Sequence, residues 1–566
     1  MCKQGSCHPL PPPPNRTPSW TKTSQSTEAI QKGGTVQFHV QAKDPDGDTL
    51  RFSWKASTGT FEKLKVEKGQ SKIQWKAPKD QCKTTVTVTA KDKETAPKSI
   101  QHTFVVTCKA PTFTTRFPQL QTTGMVYDPK GQLYLSGTFS GTLKLGNITL
   151  QSAGAEDYLV LKLGLQGEVI WASRAGGRAP DKTNGIAIDS KGDVYITGIA
   201  NPEHHPRFGD MLVAATTTVG FIAKLDGKNG KWLWVREAAP VVGYSLLLTK
   251  AGNEDAMFIA GPYHSKASIA LDRHVLDKSI HSQLYIAKVD KDGKYLWVAT
   301  TSGSRQNNSH LLSGVVSDKE GNAYIASNMD GTTQLGEHVL ELPKAPGKPG
   351  SILVAKINKD GKWVWGKVGG TPLTQATPTS RGTNQGIAVD AKGNTYITGI
   401  FMDTTVFGKH TLTNPNPPSV RQSDIFVVKL NVDGTQWEWA KRIAGKSTDS
   451  VFKETPASIV TDDQGRIFVS GLTRSTNPHF GKLVRTFDGT NRRAASFIAK
   501  LTPTGDFTEV KLYHGPGDSF IQITRKTLHM GMLTFAGTFS SKEFRLHGKL
   551  LQPQGMFLSR IDADTF

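Results

Sequence analysis

The side chains best suited to hold a ligand fall in four variable stretches of an otherwise repetitive chain of 566 residues. "RAGGRAPDKTNG" offers Arg178, Lys182 and Asn184, and "TSGSRQNNSHLLSG" offers Arg305, Asn307, Asn308 and His310. "GGTPLTQATPTSRGTNQG" adds Arg381 and Asn384, while "AGKSTDSVFKETPAS" adds Lys446 and Lys453. Cations and amides of this kind make charge-assisted hydrogen bonds, so a rim built from them suits an anionic or carbohydrate ligand. Ordinary solvated loops are the plain alternative.

Signals for catalysis are poor. Hydrolytic chemistry needs carboxylates or a metal focused on one cavity, and these loops contribute only scattered acids: Asp181, Asp449, Glu454 and Asp518. No H-E-x-x-H, G-x-S-x-G or P-loop occurs. A glycan-active lyase or hydrolase is the second reading, and a cluster of His310, Arg381 and Asp449 around one cavity would favour it. His204 and His205 in "PEHHPRFG" lack a clear third metal ligand. Asp44, Asp46 and Asp48 in "KDPDGD" place three carboxylates on one turn, a set that suits calcium, although the same residues also make a plain Asp/Gly turn.

Charge and cysteines narrow the setting. Lys plus Arg number 69 against 48 Asp plus Glu, a surplus of +21 that favours anionic partners such as acidic polysaccharide, anionic membrane or nucleic acid. Nucleic acid ranks third, because it needs a continuous basic stripe with exposed aromatics. No apolar run approaches the roughly 18 residues a membrane helix needs. The start, "MCKQGSCHPLPPPPNRTPSW", lacks the regions of a signal peptide. Its Cys2, followed by a polar, Pro-rich stretch, resembles the mature start of a bacterial lipoprotein, with Cys2 acylated. A Cys2–Cys7 disulfide, or two plain thiols, is the alternative. Cys82 and Cys108 stand at the open ends of two alternating strands that meet at a turn from Glu94 to Pro97, which predicts a cross-strand disulfide and an oxidising compartment.

The elements that must position these residues are strands. The chain holds 56 Gly and 30 Pro beside a hydrophobic fraction of 37 %, the balance of a β-rich protein with frequent turns. After a tether over residues 1–17, residues 18–108 alternate as a small β-sandwich, with Val36, Phe38, Val40, Phe52 and Trp54 facing inward. From residue 111 a unit recurs: "GIAIDSKGDVYITG" from Gly185 returns as "GIAVDAKGNTYITG" from Gly386, with further copies from Gly124, Gly314 and Ser458 and diverged ones from near Gly243 and Phe520. A third strand follows each copy, marked by Lys162, Lys224, Lys288, Lys356, Lys429, Lys500 and finally Arg560, at spacings of 60 to 73 residues. A fourth strand carries tryptophan. Four strands in each of seven units is the arithmetic of a seven-bladed β-propeller. The seventh unit ends after three strands, so "PTFTTRFPQL" at 111–120 is assigned as its missing outer strand. The marker cations are expected to pair with acids or carbonyls at blade edges, and the Asp of each D-x-x-G to hold its turn.

The unit "GIAVDAKGNTYITGIF", then "FG" with a following Leu, then "DIFVVKLNVDGTQWEWAKRIAG" resembles the bacterial β-propeller repeat of secreted and surface proteins. "KDPDGDTLRFSW" resembles the polycystic-kidney-disease-type, immunoglobulin-like domains that space or present other modules on bacterial surfaces. The third unit lacks the "FG" and fits less well, as does the seventh. These resemblances imply an all-β protein with an extracellular home and no shared activity. The expectation is therefore an exported binding or scaffold protein whose partner is a cell-envelope protein or anionic polysaccharide, with any membrane contact made through the lipid anchor.

Overall fold

A computed structural model describes residues 14–566 except 27–28, 31–33, 78–82, 93–96, 109–111, 118, 201–204, 214–218, 239–246, 304–311, 330, 342–350, 373–385, 402–403, 415–422, 446–454, 463, 476, 487–494, 514–520, 530–531, 540–543, 548, 552–554 and 564–566. The chain divides into two compact units, Met1–Pro111 and Thr112–Phe566. Among the described residues there is no helix, hence none long and apolar enough to cross a membrane.

The N-terminal unit contains eight strands: β1 (Ser19–Gln25), β2 (Ala29–Ile30), β3 (Thr35–Lys43), β4 (Arg51–Ala56), β5 (Thr60–Glu67), β6 (Gln70–Lys76), β7 (Lys83–Lys91) and β8 (Ser99–Cys108). They form two sheets, in the orders β1-β3-β6-β5 and β2-β8-β7-β4. Strict alternation puts Val36, Phe38, Val40, Ile73 and Trp75 of the first sheet against Val86, Val88, Phe104 and Val106 of the second, a single dry core. The chain crosses between layers at Asp44–Asp48, so β3 and β4 lie in different sheets. β7 and β8 pair antiparallel from Lys83↔Thr107 to Lys91↔Ser99. The predicted Cys82–Cys108 disulfide and the acylated Cys2 lie outside the described residues, since only the backbone of Cys108 is described.

In the second unit, seven sheets share one four-strand antiparallel order. The second sheet is representative, with strands Lys182–Ile188, Val194–Ala200, Val219–Leu225 and Trp232–Glu237. The seventh takes its outer strand from β9 (Phe113–Phe117), which pairs with Gly555–Asp562. First strands of successive sheets lie side by side in chain order, and that of the seventh lies against that of the first. Between its second and third strands each sheet carries a small hairpin turned by a residue of positive φ. Glycine serves at Gly146, Gly209, Gly336, Gly408 and Gly481, whereas the third and seventh sheets use Asp272 (φ 52) and His547 (φ 48). Those two sheets thus make the same hairpin without the "FG" signature, at a backbone strain that glycine avoids.

The marker cations pair with acids of their own sheet or with carbonyls of the next one. Lys224 pairs with Asp189 at 3.2 Å and Asp193 at 3.0 Å, Lys288 with Glu254 at 2.7 Å and Lys429 with Glu438 at 2.7 Å. Lys162 instead donates to the Gly227 carbonyl of the next sheet at 2.8 Å, and Lys500 to that of Ala563 at 2.9 Å. Each D-x-x-G aspartate accepts backbone amides of its own turn, as Asp390 does from Lys392 and Asn394, both at 2.9 Å. The second oxygen of Asp390 takes a buried tyrosine hydroxyl, Tyr396 at 2.9 Å, whereas that of Asp462 takes Arg466 Nε. In the first six sheets the turn before the outer strand needs glycine for two reasons. Gly361 has φ +83, and a Cβ there would lie 2.8 Å from the Trp297 ring of the preceding sheet.

The Arg178 loop as a candidate binding site

Of the eleven predicted rim residues, Arg305, Asn307, Asn308, His310, Arg381, Asn384, Lys446 and Lys453 lie outside the described residues, as do His204 and Asp449. Lys182 begins a strand and only its backbone is described. Arg178 and Asn184 are fully described and they differ. Arg178 is exposed, whereas Asn184 is 5 % exposed and so is no rim contact. Asn184 is the extra residue of a β-bulge between Thr183 and Gly185, and its Nδ2 has no hydrogen-bond partner. Bulges at the same place put Thr123, Ser313 and Ala457 at the head of other first strands.

The loop carrying Arg178 joins the outer strand of the first sheet (Val169–Gly176) to the first strand of the second. It is clamped from below. Asp181 accepts the Gly177 amide at 2.8 Å and donates its own N–H to the Glu156 carbonyl at 2.7 Å. Asp157, fully buried, accepts Arg174 Nη1 at 2.5 Å and the Ala153 amide at 2.9 Å. Both carboxylates crowd Gly176, where a Cβ would meet Asp181 Oδ2 at 2.6 Å and Asp157 Oδ1 at 2.9 Å. A Cβ on Gly154 would strike the Arg178 carbonyl at 2.2 Å, so the backbone of this loop rests directly on the neighbouring hairpin. The result is a fixed pedestal with one guanidinium in solvent.

Electrostatics follow from burial. Burial pushes the Asp157 carboxyl above its ordinary value, opposed by the Ala153 amide and Arg174. Burial also raises the Tyr158 hydroxyl, helped by Asp181 and Asp157. The fifth sheet repeats the clamp: Asp424 takes Arg442 Nε at 2.5 Å, and burial lifts its carboxyl to about 6 against the pull of Arg442. Sequence reasoning names Asp181 only as a scattered acid and misses Asp157 and Asp424, although an acid opening the third strand and an Arg in the fourth are visible in "DYLVLKL…ASRAGG" and "DIFVVKL…AKRIAG".

Of the three calcium candidates, Asp46 is engaged by Arg16, through N to Oδ2 and Nε to Oδ1, both at 2.7 Å. Asp44 Oδ1 accepts the amides of Asp46 at 2.8 Å and Asp48 at 3.3 Å, the bonding of a turn. Among the described residues no group of three His, Cys, Asp or Glu is arranged to hold a metal ion.

Residues 170–201, which span this loop, match the family described as SBBP, beta-propeller repeat. The matched segment runs from the outer strand of the first sheet through this loop into the second strand of the second sheet. No curated protein matches the chain significantly. Among solved structures, the polysaccharide lyase Uly1 is 10% identical with a TM-score of 0.40, over 78% of this chain and 90% of that one. A protein of unknown function from Dyadobacter fermentans DSM 18053 is 10% identical with a TM-score of 0.32, over 79% and 99%. The Yersinia pseudotuberculosis adhesin InvE is 10% identical with a TM-score of 0.16, over 61% and 73%. At these values the likenesses carry no argument about activity.

Proposed function

We propose that the seven sheets are the blades of one seven-bladed β-propeller closed by Phe113–Phe117, preceded by an immunoglobulin-like sandwich. On this reading the protein is exported to a bacterial surface, held there by a lipid on Cys2, and binds rather than transforms its partner. The partner is an anionic polysaccharide or a cell-envelope protein, taken on the loop face to which Arg178, Lys182, Arg305, Arg381, Lys446 and Lys453 belong in sequence.

The observation that carries this reading is the Arg178 pedestal. Two buried carboxylates and two close glycine contacts fix a loop whose one cationic side chain stays in solvent. Fixing the backbone beforehand lowers the entropy cost of binding, which is what a recognition loop requires and a mere connector does not. Catalysis finds no support there, because Asp157 and Asp181 are both buried away from any substrate.

Binding of the purified chain to an array of acidic and neutral glycans tests the proposal. Selective binding to acidic glycans that Arg178→Ala and Arg381→Ala each weaken supports it. Uniform weak binding that neither variant changes overturns the glycan reading and leaves protein partners of the envelope.

A further inference from the structure

The N-terminal sandwich has a solvent face that carries exposed cations. β4, β7 and β8 are adjacent, and their registers fix three cross-strand rows on the side away from the core: Arg51–Lys91–Ser99, Ser53–Thr89–Gln101 and Lys55–Thr87–Thr103. The opposite side of the same strands carries Phe52, Trp54, Val86, Val88 and Phe104, packed inward. Among the described residues the outward face contains no acid.

Arg51 stands directly opposite Lys91. Like charges so placed, with Cβ atoms roughly 5 Å apart, destabilise a sheet. Arg51, Lys55 and Lys91 are exposed and form no ion pair among the described residues, so no ion pair described there offsets that repulsion. The unit as a whole has eighteen Lys and Arg against nine Asp and Glu, a surplus of nine. The hydroxyls of Thr87 and Thr103 bond each other at 3.2 Å, forming part of a flat polar ladder between the cationic rows.

We infer that this face of β4-β7-β8 binds an extended acidic polysaccharide, a surface separate from the propeller loops and independent of the reading given for them. Arg51 and Lys55 are four residues apart on one strand, about 13 Å at roughly 3.3 Å per residue, so two anionic groups along one extended chain can be met at once. Between them Ser53, Thr89, Thr87 and Gln101 present donors and acceptors for sugar hydroxyls. Single-stranded nucleic acid is disfavoured because binding it calls for exposed aromatic platforms, and the aromatic rings of these strands are turned into the core.

The test uses the full chain carrying Arg51→Ser, Lys55→Ser and Lys91→Ser together, with a charge-matched control of Lys228→Ser, Lys294→Ser and Lys362→Ser in exposed propeller turns. Affinity for polygalacturonate and heparin is measured across a salt series, with single-stranded DNA and phosphatidylglycerol vesicles alongside, and thermal unfolding confirms that each protein is folded. The expected result is a loss of about tenfold or more for the face variant, with a shallower salt dependence by roughly two to three counterions, and less than about twofold for the control. Equal loss in both variants, no loss in either, or a face-dependent preference for DNA or vesicles over polysaccharide overturns the inference. Arg178→Ala measured in parallel separates the sites: weakening by that change alone sinks this face and leaves the loop reading standing, and the converse result sinks the loop.

Discussion

Arg560 Nε donates to the Tyr127 hydroxyl at 2.7 Å, joining the last strand of the chain to the first repeat 433 residues earlier. The guanidinium is fully buried, 4.8 Å from the ring centroids of both Tyr127 and Phe113, and also donates to the carbonyls of Leu165 at 3.0 Å and Gly131 at 3.3 Å. Six sheets use lysine here. The junction of seventh and first sheets uses a planar donor whose directions meet three acceptors at once, a geometry an ammonium cannot copy.

Arg560→Ala should therefore cost about 3–5 kcal/mol, since it leaves the Leu165 and Gly131 carbonyls without this donor and opens a cavity where the side chain stood. Arg560→Lys should recover only part of this. Denaturant unfolding of the C-terminal unit checks both, and an unchanged midpoint for Arg560→Ala would remove the junction from the account.

Gly361→Ala should destabilise by roughly 1–3 kcal/mol through left-handed strain and the contact with Trp297. Gly192→Ala is the control, because its φ is +89 with nothing within 4 Å of the new Cβ. Thermal unfolding should place Gly361→Ala clearly below Gly192→Ala. Equal shifts would mean that backbone strain alone matters and that the packing on Trp297 adds nothing.

The Asp424 carboxyl, lifted to about 6 by burial, makes stability fall as pH rises. Between the ordinary carboxylate value and about 6 the folded state holds a proton that the unfolded state has released. The contribution is fully present below the unfolded value and lost as pH climbs through the folded one. At about 1.4 kcal/mol per unit it amounts to up to about 3 kcal/mol. Asp424→Asn should flatten that part of the stability profile between pH 4 and 7, and an unaltered profile would show that Arg442 keeps the group ionised throughout.

Asp181→Asn should loosen the Arg178 pedestal without unfolding the C-terminal unit. Amide hydrogen exchange at Gly177, whose N–H bonds the carboxylate at 2.8 Å, should rise, and affinity for acidic glycans should fall with that of Arg178→Ala. Exchange at Gly177 as slow as in the unaltered chain would contradict the clamp.

Repetition made much of the fold readable. The D-x-x-G turns, the marker cations and the period-two alternation are local rules written once per repeat, and local rules survive without knowledge of distant contacts. Even the borrowed outer strand, "PTFTTRFPQL", was legible, because an unfinished sheet edge demands a partner and the chain offers that one. The three-dimensional arrangement alone buried Asn184 while leaving Arg178 in solvent, since a bulge decides which way a side chain turns and spacing does not record it. It alone brought Asp157 and Asp181 around Gly176, sent Asp46 to Arg16, and set Arg51 opposite Lys91. Each of these is a contact between segments whose register is fixed by packing of the whole sheet. Sequence determined the bricks because their chemistry is local, and tertiary structure decided the surfaces because exposure and opposition are properties of pairs.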